Sequence, residues 1–202
     1  MTQSVYQFKV SLTDIEPAIW RRILVPENYT FWDLHVAIQD SLGWLDYHLH
    51  VFRIKKKDAH KILEIGIPDD ERDESDPERI PDWEVLVSSC FSEVGMTCEY
   101  EYDFGDGWRH DIQFEGIVQK ERGQKYPKCI DGQRSCPPED VGGVTGYYHL
   151  LEVLNNPKDK EYKEMIEWLG RKYDPNEFAT SIVKFDDPRK RWRTAFTERP
   201  RI

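Results

Sequence analysis

Apolar and polar residues alternate at the start of the chain. Tyr6, Phe8, Val10 and Leu12 fall on one side, with Gln7, Lys9 and Ser11 on the other. This is the two-residue period of a half-buried strand. After the Glu16-Pro17 break, Ile19–Val25 (IWRRILV) predicts a second strand. The period then changes: Phe31, Leu34, Ile38 and Leu42 form an apolar stripe at helical spacing. Thr30 opens that helix, with Asp33 three residues on as a variant of the capping box, and Gly43 stops it. Leu49–Ile54 (LHVFRI) predicts a third strand, and Val85–Val87 a short further one.

The strongest local signal is Tyr100–His110, YEYDFGDGWRH. Cys98, Tyr100, Tyr102 and Phe104 alternate with acids, and after Gly107 the apolar parity resumes at Trp108, His110, Ile112 and Phe114. A two-residue Asp106-Gly107 turn would set each strand's apolar face against the other's polar one. A three-residue loop, Gly105-Asp106-Gly107, reconciles the faces and pairs Phe104 with Trp108, Asp103 with Arg109 and Tyr102 with His110. One face of the hairpin is then aromatic. The other is a ladder of Glu101, Asp103, Arg109 and Asp111.

Beyond Val118 the pattern loosens. Glu121–Gly146 reads as a long ordered loop, followed by short helices at Tyr147–Leu154 and Tyr162–Leu169 and a basic helix after Pro188. Strands dominate residues 1–120 and helices residues 121–202. The expectation is one α+β domain over residues 1–202, with a mainly antiparallel sheet, a long N-terminal helix and short C-terminal helices.

Composition narrows the function classes. Aromatic residues make up 13% of the 202 residues, enough for a substantial core. The net charge of −10 argues against a broad nucleic-acid surface. Residues 69–84 carry nine acids against two Arg and read as a solvated loop, whereas Lys184–Arg201 carries seven bases against three acids. Bases around Trp192 could touch nucleic acid, but on an acidic chain such a helix more often packs on its own acidic surface. No apolar run approaches the roughly 20 residues of a membrane span, and no signal peptide precedes the first strand. The expected compartment is the cytoplasm, with Cys90, Cys98, Cys129 and Cys136 reduced.

Several groups have the chemistry of a site. Asp103, Asp106 and His110 near the hairpin tip offer carboxylates and an imidazole, the groups a hydrolytic site needs, although Asp106 also suits a turn. His48 and His50, two apart on one strand face, could chelate a metal given a third ligand, and His35 is either that ligand or an ordinary buried histidine. The cysteines lack zinc-knuckle spacing. Val141–Gly146 is Gly-rich and precedes a helix, yet it lacks the Lys-Ser/Thr of a P-loop, and acids precede it.

Five segments taken together, IWRRI (19–23), FWDLHVAIQ (31–39), GWLDYHLHVF (43–52), YEYDFGDGWRH (100–110) and CPPEDVGGVTGY (136–147), resemble one family. It is named after the third open reading frame of a root-inducing plasmid, and is also called a passenger, resolvase-like protein of an insertion element. The ordered match spans roughly residues 4–185. The resemblance implies an α+β domain, a link to plasmids or mobile DNA elements, and no defined activity. Its motif residues fall on Arg21, Arg22, Trp44, His48, His50, Asp103, Gly105, Asp106, Trp108, His110, Pro137, Glu139, Asp140, Gly142 and Gly143. A serine recombinase needs an activated Ser among several Arg, whereas these motifs centre on Asp, Trp and His.

The expected function is therefore a binding or interaction module for a protein or small-molecule ligand. Its candidate binding residues are Arg21, Arg22, Trp44, His48, His50, Asp103, Asp106, Trp108, His110, Glu139 and Asp140. The hairpin tip, the His48/His50 strand and the Pro137–Gly143 loop are expected to converge. No cofactor or resident metal is expected, nucleic acid through Lys184–Arg201 is not favoured, and no membrane partner is expected. The alternative is a metal-dependent hydrolase built on Asp103, Asp106 and His110.

Overall fold

The computed structural model describes residues 4–55, 62–68 and 79–198. The alternating segments become β1 (Ser4–Leu12), β2 (Trp20–Pro26), β3 (His50–Lys55), β6 (Thr97–Tyr102) and β7 (Trp108–Gln119). With β4 (Ile62–Gly66), β5 (Arg79–Pro81) and β8 (Lys128–Gln133) they form one eight-stranded sheet in the order β5-β4-β3-β6-β7-β1-β2-β8. Helix α1 (Phe31–Leu42) lies on the inner face, where Phe31 meets Phe52 with ring centroids 5.0 Å apart. The inward residues Phe8, Val10, Ile23, Phe52, Tyr100, Ile112 and Phe114 are fully buried or nearly so. The outer face is polar: Arg53 reaches Glu64 and Glu99, and Arg22 reaches Glu115 and Asp131. Among the described residues, no helix is long and apolar enough to cross a membrane.

Several expectations are corrected. The sheet is mixed, because β4 and β5 run parallel. There is no long N-terminal helix: α1 has twelve residues. Its length is set at both ends, by a reciprocal Thr30–Asp33 capping box and by Gly43, whose φ of 85° ends the helix. The loop expected after Val118 contains β8, which adds to β2 as an edge strand, and α2 (Gly143–Leu154) starts earlier than the pattern implied. The short strand expected at Val85–Val87 is instead an isolated bridge at Leu86 followed by a turn of 3-10 helix from Val87 to Ser89. Residues 69–78 of the acidic run lie outside the described residues. Its described remainder includes Asp82, which is fully buried.

The hairpin keeps its faces but shifts its register by two. Tyr102 pairs with Trp108, Tyr100 with His110 and Glu101 with Arg109, around a five-residue tip from Asp103 to Gly107. Asp103 causes the shift. It adopts φ of 56°, tolerated by Asp, and its Oδ1 accepts the N–H groups of Gly105 and Asp106. Phe104, expected to pair with Trp108, is 43% exposed. Arg109 approaches Asp14 rather than Asp103.

Helices α3 (Tyr162–Leu169) and α4 (Pro188–Arg193) follow, with a 3-10 turn at Thr180–Ile182 between them and a π-helical turn at Thr194–Glu198 after α4. Arg191 of α4 is held by Asp40 at 2.6 Å and by Asp186, and sits 3.8 Å from Asp46. Trp32 of α1 donates its indole N–H to Pro188 O. Within the expected basic segment, residues 199–201 lie outside the described residues.

A polar stack crosses the inner core. The His35 and His50 rings lie parallel, with centroids 3.5 Å apart and planes at 8°. His35 Nε2 is 2.8 Å from Asp46 Oδ1, and His50 Nε2 is 2.7 Å from Asp82 Oδ2. The Tyr100 hydroxyl accepts from Gln39 and lies 2.8 Å from His35 Nδ1. Burial, reinforced by the charge of His35, pushes His50 down from its ordinary 6.5 to about 4. Burial likewise pushes His110 down to about 4, against the carbonyls of Tyr100 and Trp108 that favour its charged form.

Both depressed values set a pH dependence. Between about 6.5 and about 4 the unfolded chain takes up protons at these positions and the folded chain does not. Stability therefore falls as pH drops through that window. Two such groups give a slope of up to roughly 2.7 kcal/mol per pH unit. Urea unfolding at a series of pH values should show this decline between pH 6.5 and 4.5, and His110→Phe should remove about half of the slope. A flat profile would refute the assignment.

Candidate functional site

Three segments meet at one end of the sheet. Trp44, just past the α1 stop, is buried and donates its indole N–H to Pro137 O at 2.9 Å. Its ring stacks on Tyr102 at 5.0 Å and meets His110 edge-on at 5.3 Å. The residues that follow are pinned by their backbone. Leu45 N–H donates to Glu139 Oε1, Tyr47 N–H to the Tyr102 hydroxyl, and Asp103 N–H to Leu49 O. Glu139 also accepts from the Tyr102 hydroxyl, and burial raises its pKa against these donors. The Asp106 carboxylate accepts Gly142 N–H at 3.1 Å, joining the hairpin tip to the start of α2.

This pinning brings His48 between two carboxylates. Its Nε2 lies 2.9 Å from Asp140 Oδ1 and 3.5 Å from Asp103 Oδ2. One ligand atom from each of the three lies within 4.8 Å of the others. Asp103 is buried, His48 half-buried and Asp140 exposed, so the cluster opens to solvent on one side. Both acids have φ of 56°. Asp103 serves two purposes at once: Oδ1 shapes the turn and Oδ2 faces His48. Leu45, Tyr47 and Leu49, which flank His48 in sequence, and Phe104, next to Asp103, form an apolar rim on the same segments, each between 43% and 60% exposed.

The remaining candidates lie elsewhere or beneath. Trp108 and His110 are buried under the tip, with His110 Nδ1 on Tyr100 O. The expected Asp103–Asp106–His110 grouping is therefore not formed, and His48 occupies the imidazole position instead. His50 does not share a face with His48: β3 begins at His50, which turns inward to Asp82. Arg22 is engaged on the outer face and Arg21 is buried where β2 meets β8. Residue type marks Asp103 at the hairpin tip and Asp140 in the Pro137–Gly143 loop, but does not mark the apolar rim. Its trace in the sequence is Leu45, Tyr47 and Leu49, alternating with Trp44, Asp46, His48 and His50.

The fold and site define an α+β protein with a mixed sheet, an aromatic hairpin on its inner face and a carboxylate–imidazole cluster at the hairpin tip. The chain belongs to the plasmid pRiA4b ORF-3-like family, whose model matches residues 4–181. It is 34% identical over 172 residues to the uncharacterized protein y4hQ of Sinorhizobium fredii, covering 84% of this chain and 83% of that one. It also resembles the crystal structure of a protein of unknown function, MM3350, from Methanosarcina mazei Go1. That match has a TM-score of 0.81 and 39% identity, over 92% of this chain and 100% of the other.

Gly143 makes the close junction between loop and hairpin. Its φ is 65°, and a Cβ there would fall 2.4 Å from Asp106 O. Gly143→Ala should cost roughly 2 kcal/mol or more, from the left-handed backbone and the clash together. Urea unfolding measures the cost, and amide NMR shifts should concentrate at residues 103–107 and 139–146. An unchanged midpoint would show that the junction carries no strain.

Proposed function

We propose that this protein is a binding module whose recognition face is the hairpin-tip surface. On this reading His48, Asp103 and Asp140 hold a divalent cation, and Leu45, Tyr47, Leu49 and Phe104 provide the apolar contact around it. The observation that carries the proposal is that three segments distant in sequence bring these ligand atoms within 4.8 Å of one another, on segments that also carry exposed large apolar side chains. One imidazole and two carboxylates suit Zn²⁺ or Mn²⁺, with positions left open for a ligand that carries its own donor. Clustered apolar side chains around a polar centre are characteristic of recognition surfaces. The rim favours a partner that combines an apolar body with an anionic group.

Calorimetric titration of the full chain with Zn²⁺ and with Mn²⁺ tests the cluster. The expected result is one saturable site, weakened about tenfold or more by His48→Ala and by Asp140→Asn. Both positions are solvent-accessible, so the unfolding free energy from urea should stay within about 0.5 kcal/mol of the parent. Equal isotherms for parent and His48→Ala would overturn the assignment.

A further inference from the structure

We infer that the cavity beneath the β2–β8 edge binds a small oxyanion, a carboxylate or phosphate group, on the guanidinium of Arg21. The cavity is about 310 Å³ and lies apart from the hairpin tip, between the end of α1, the segment after β8 and the segment after α3. Arg21 forms part of its wall and is only 2% exposed. Its hydrogen bonds all go to neutral carbonyls. Nε donates to Ser41 O, and Nη1 donates to Trp20 O and Gln133 O. Phe178 lies across the guanidinium, 3.7 Å from ring centroid to Cζ.

No carboxylate pairs with this buried charge among the described residues. Burial lowers its pKa, opposed only by Cys136, Cys129 and Tyr173. Ser41 O, in the last turn of α1, contributes part of a negative charge through the helix dipole. That leaves much of a full positive charge uncompensated, a costly arrangement in a protein interior. Asp40 borders the same cavity, but its carboxylate is occupied by Arg191 and by the Asp186 N–H. Among the described residues Nη2 makes no hydrogen bond to the protein, which leaves a guanidinium donor for a ligand.

The mouth of the cavity is exposed and carries Arg171 and Lys172 against Asp174 and Glu177. These charges cancel, so the sign of the cavity is set by its wall, where Arg21 alone is unmatched. The wall is also closely fitted. A Cβ at Gly132 would fall 2.5 Å from the Phe178 ring and 3.0 Å from Arg21 Cδ, so only glycine leaves room for both side chains here. An oxyanion held in this cavity would meet Arg21 at its wall and offset the charge that the protein leaves unpaired.

Thermal unfolding of the full chain provides the test, with inorganic phosphate and malonate each titrated against sodium chloride at matched ionic strength. The expected result is a saturable rise in Tm with phosphate, malonate or both beyond that with chloride, and the stronger of the two identifies the ligand class. Reversing the exposed mouth charges in R171E/K172E should raise the half-effect concentration about fivefold or more. Arg21→Gln should abolish the saturable rise while keeping the far-ultraviolet circular dichroism of the parent. If that variant fails to fold, R171E/K172E decides the matter. No rise beyond chloride, or an identical half-effect concentration in R171E/K172E, would overturn the inference.

Discussion

The arrangement on which the rest of the structure depends is the buried pair of imidazoles, His35 and His50, stacked 3.5 Å apart between Asp46 and Asp82. Each of these four residues belongs to a different segment: α1, β3, the turn after α1, and the remainder of the acidic run. Tyr100 and Gln39 extend the network into β6 and along α1. Arg191 brings α4 close to Asp46 from outside. An apolar core would tolerate slippage of one element against another. A core of directional, desolvated hydrogen bonds does not, because each group left unpaired costs about 1–3 kcal/mol. Burial also lowers the pKa of His50, which favours a neutral ring beside the aspartates and limits the charge to be balanced.

Much of this fold was legible because strand parity is robust. Parity fixes the inward set of the hairpin but not its register, since a shift of two residues leaves both faces unchanged. The error has a local cause that periodicity cannot reveal. Asp103 uses its side chain to cap the turn, which ends the ladder at Tyr102 and leaves Phe104 outside. β8 escaped for a different reason. It is an edge strand, mostly exposed, and Lys128–Gln133 carries no alternating apolar signal. Asp82 sits inside a run of acids whose composition indicates solvent, and its burial rests on His50 and on backbone bonds to Gly66 and Trp32.

The candidate site was legible in outline but not in its membership. Residue types at the tip and in the Pro137–Gly143 loop pointed to the right segments. Which imidazole joins the acids depends on where β3 begins. Had the strand started two residues earlier, His48 and His50 would share its inner face. Instead His48 precedes the strand and is reached by Asp140 from a segment 92 residues away. His110 has the correct spacing in the hairpin, but it lies on the aromatic face, where Trp44 and Tyr100 cover it.

The exposure of the apolar rim follows from the buried stack. From Trp44 to His50 the even positions are committed to the protein: Trp44 to Pro137 and Tyr102, Asp46 to His35, His48 to Asp140, His50 to Asp82. Leu45, Tyr47 and Leu49, which lie between these anchors, are left exposed. Burying them would require this stretch of backbone to move, which would withdraw Asp46 and His50 from His35 and Asp82. The fold thus holds three large apolar side chains in water beside a carboxylate–imidazole cluster. It cannot relax them inward without breaking its central hydrogen bonds, so the face persists whether or not a partner is bound.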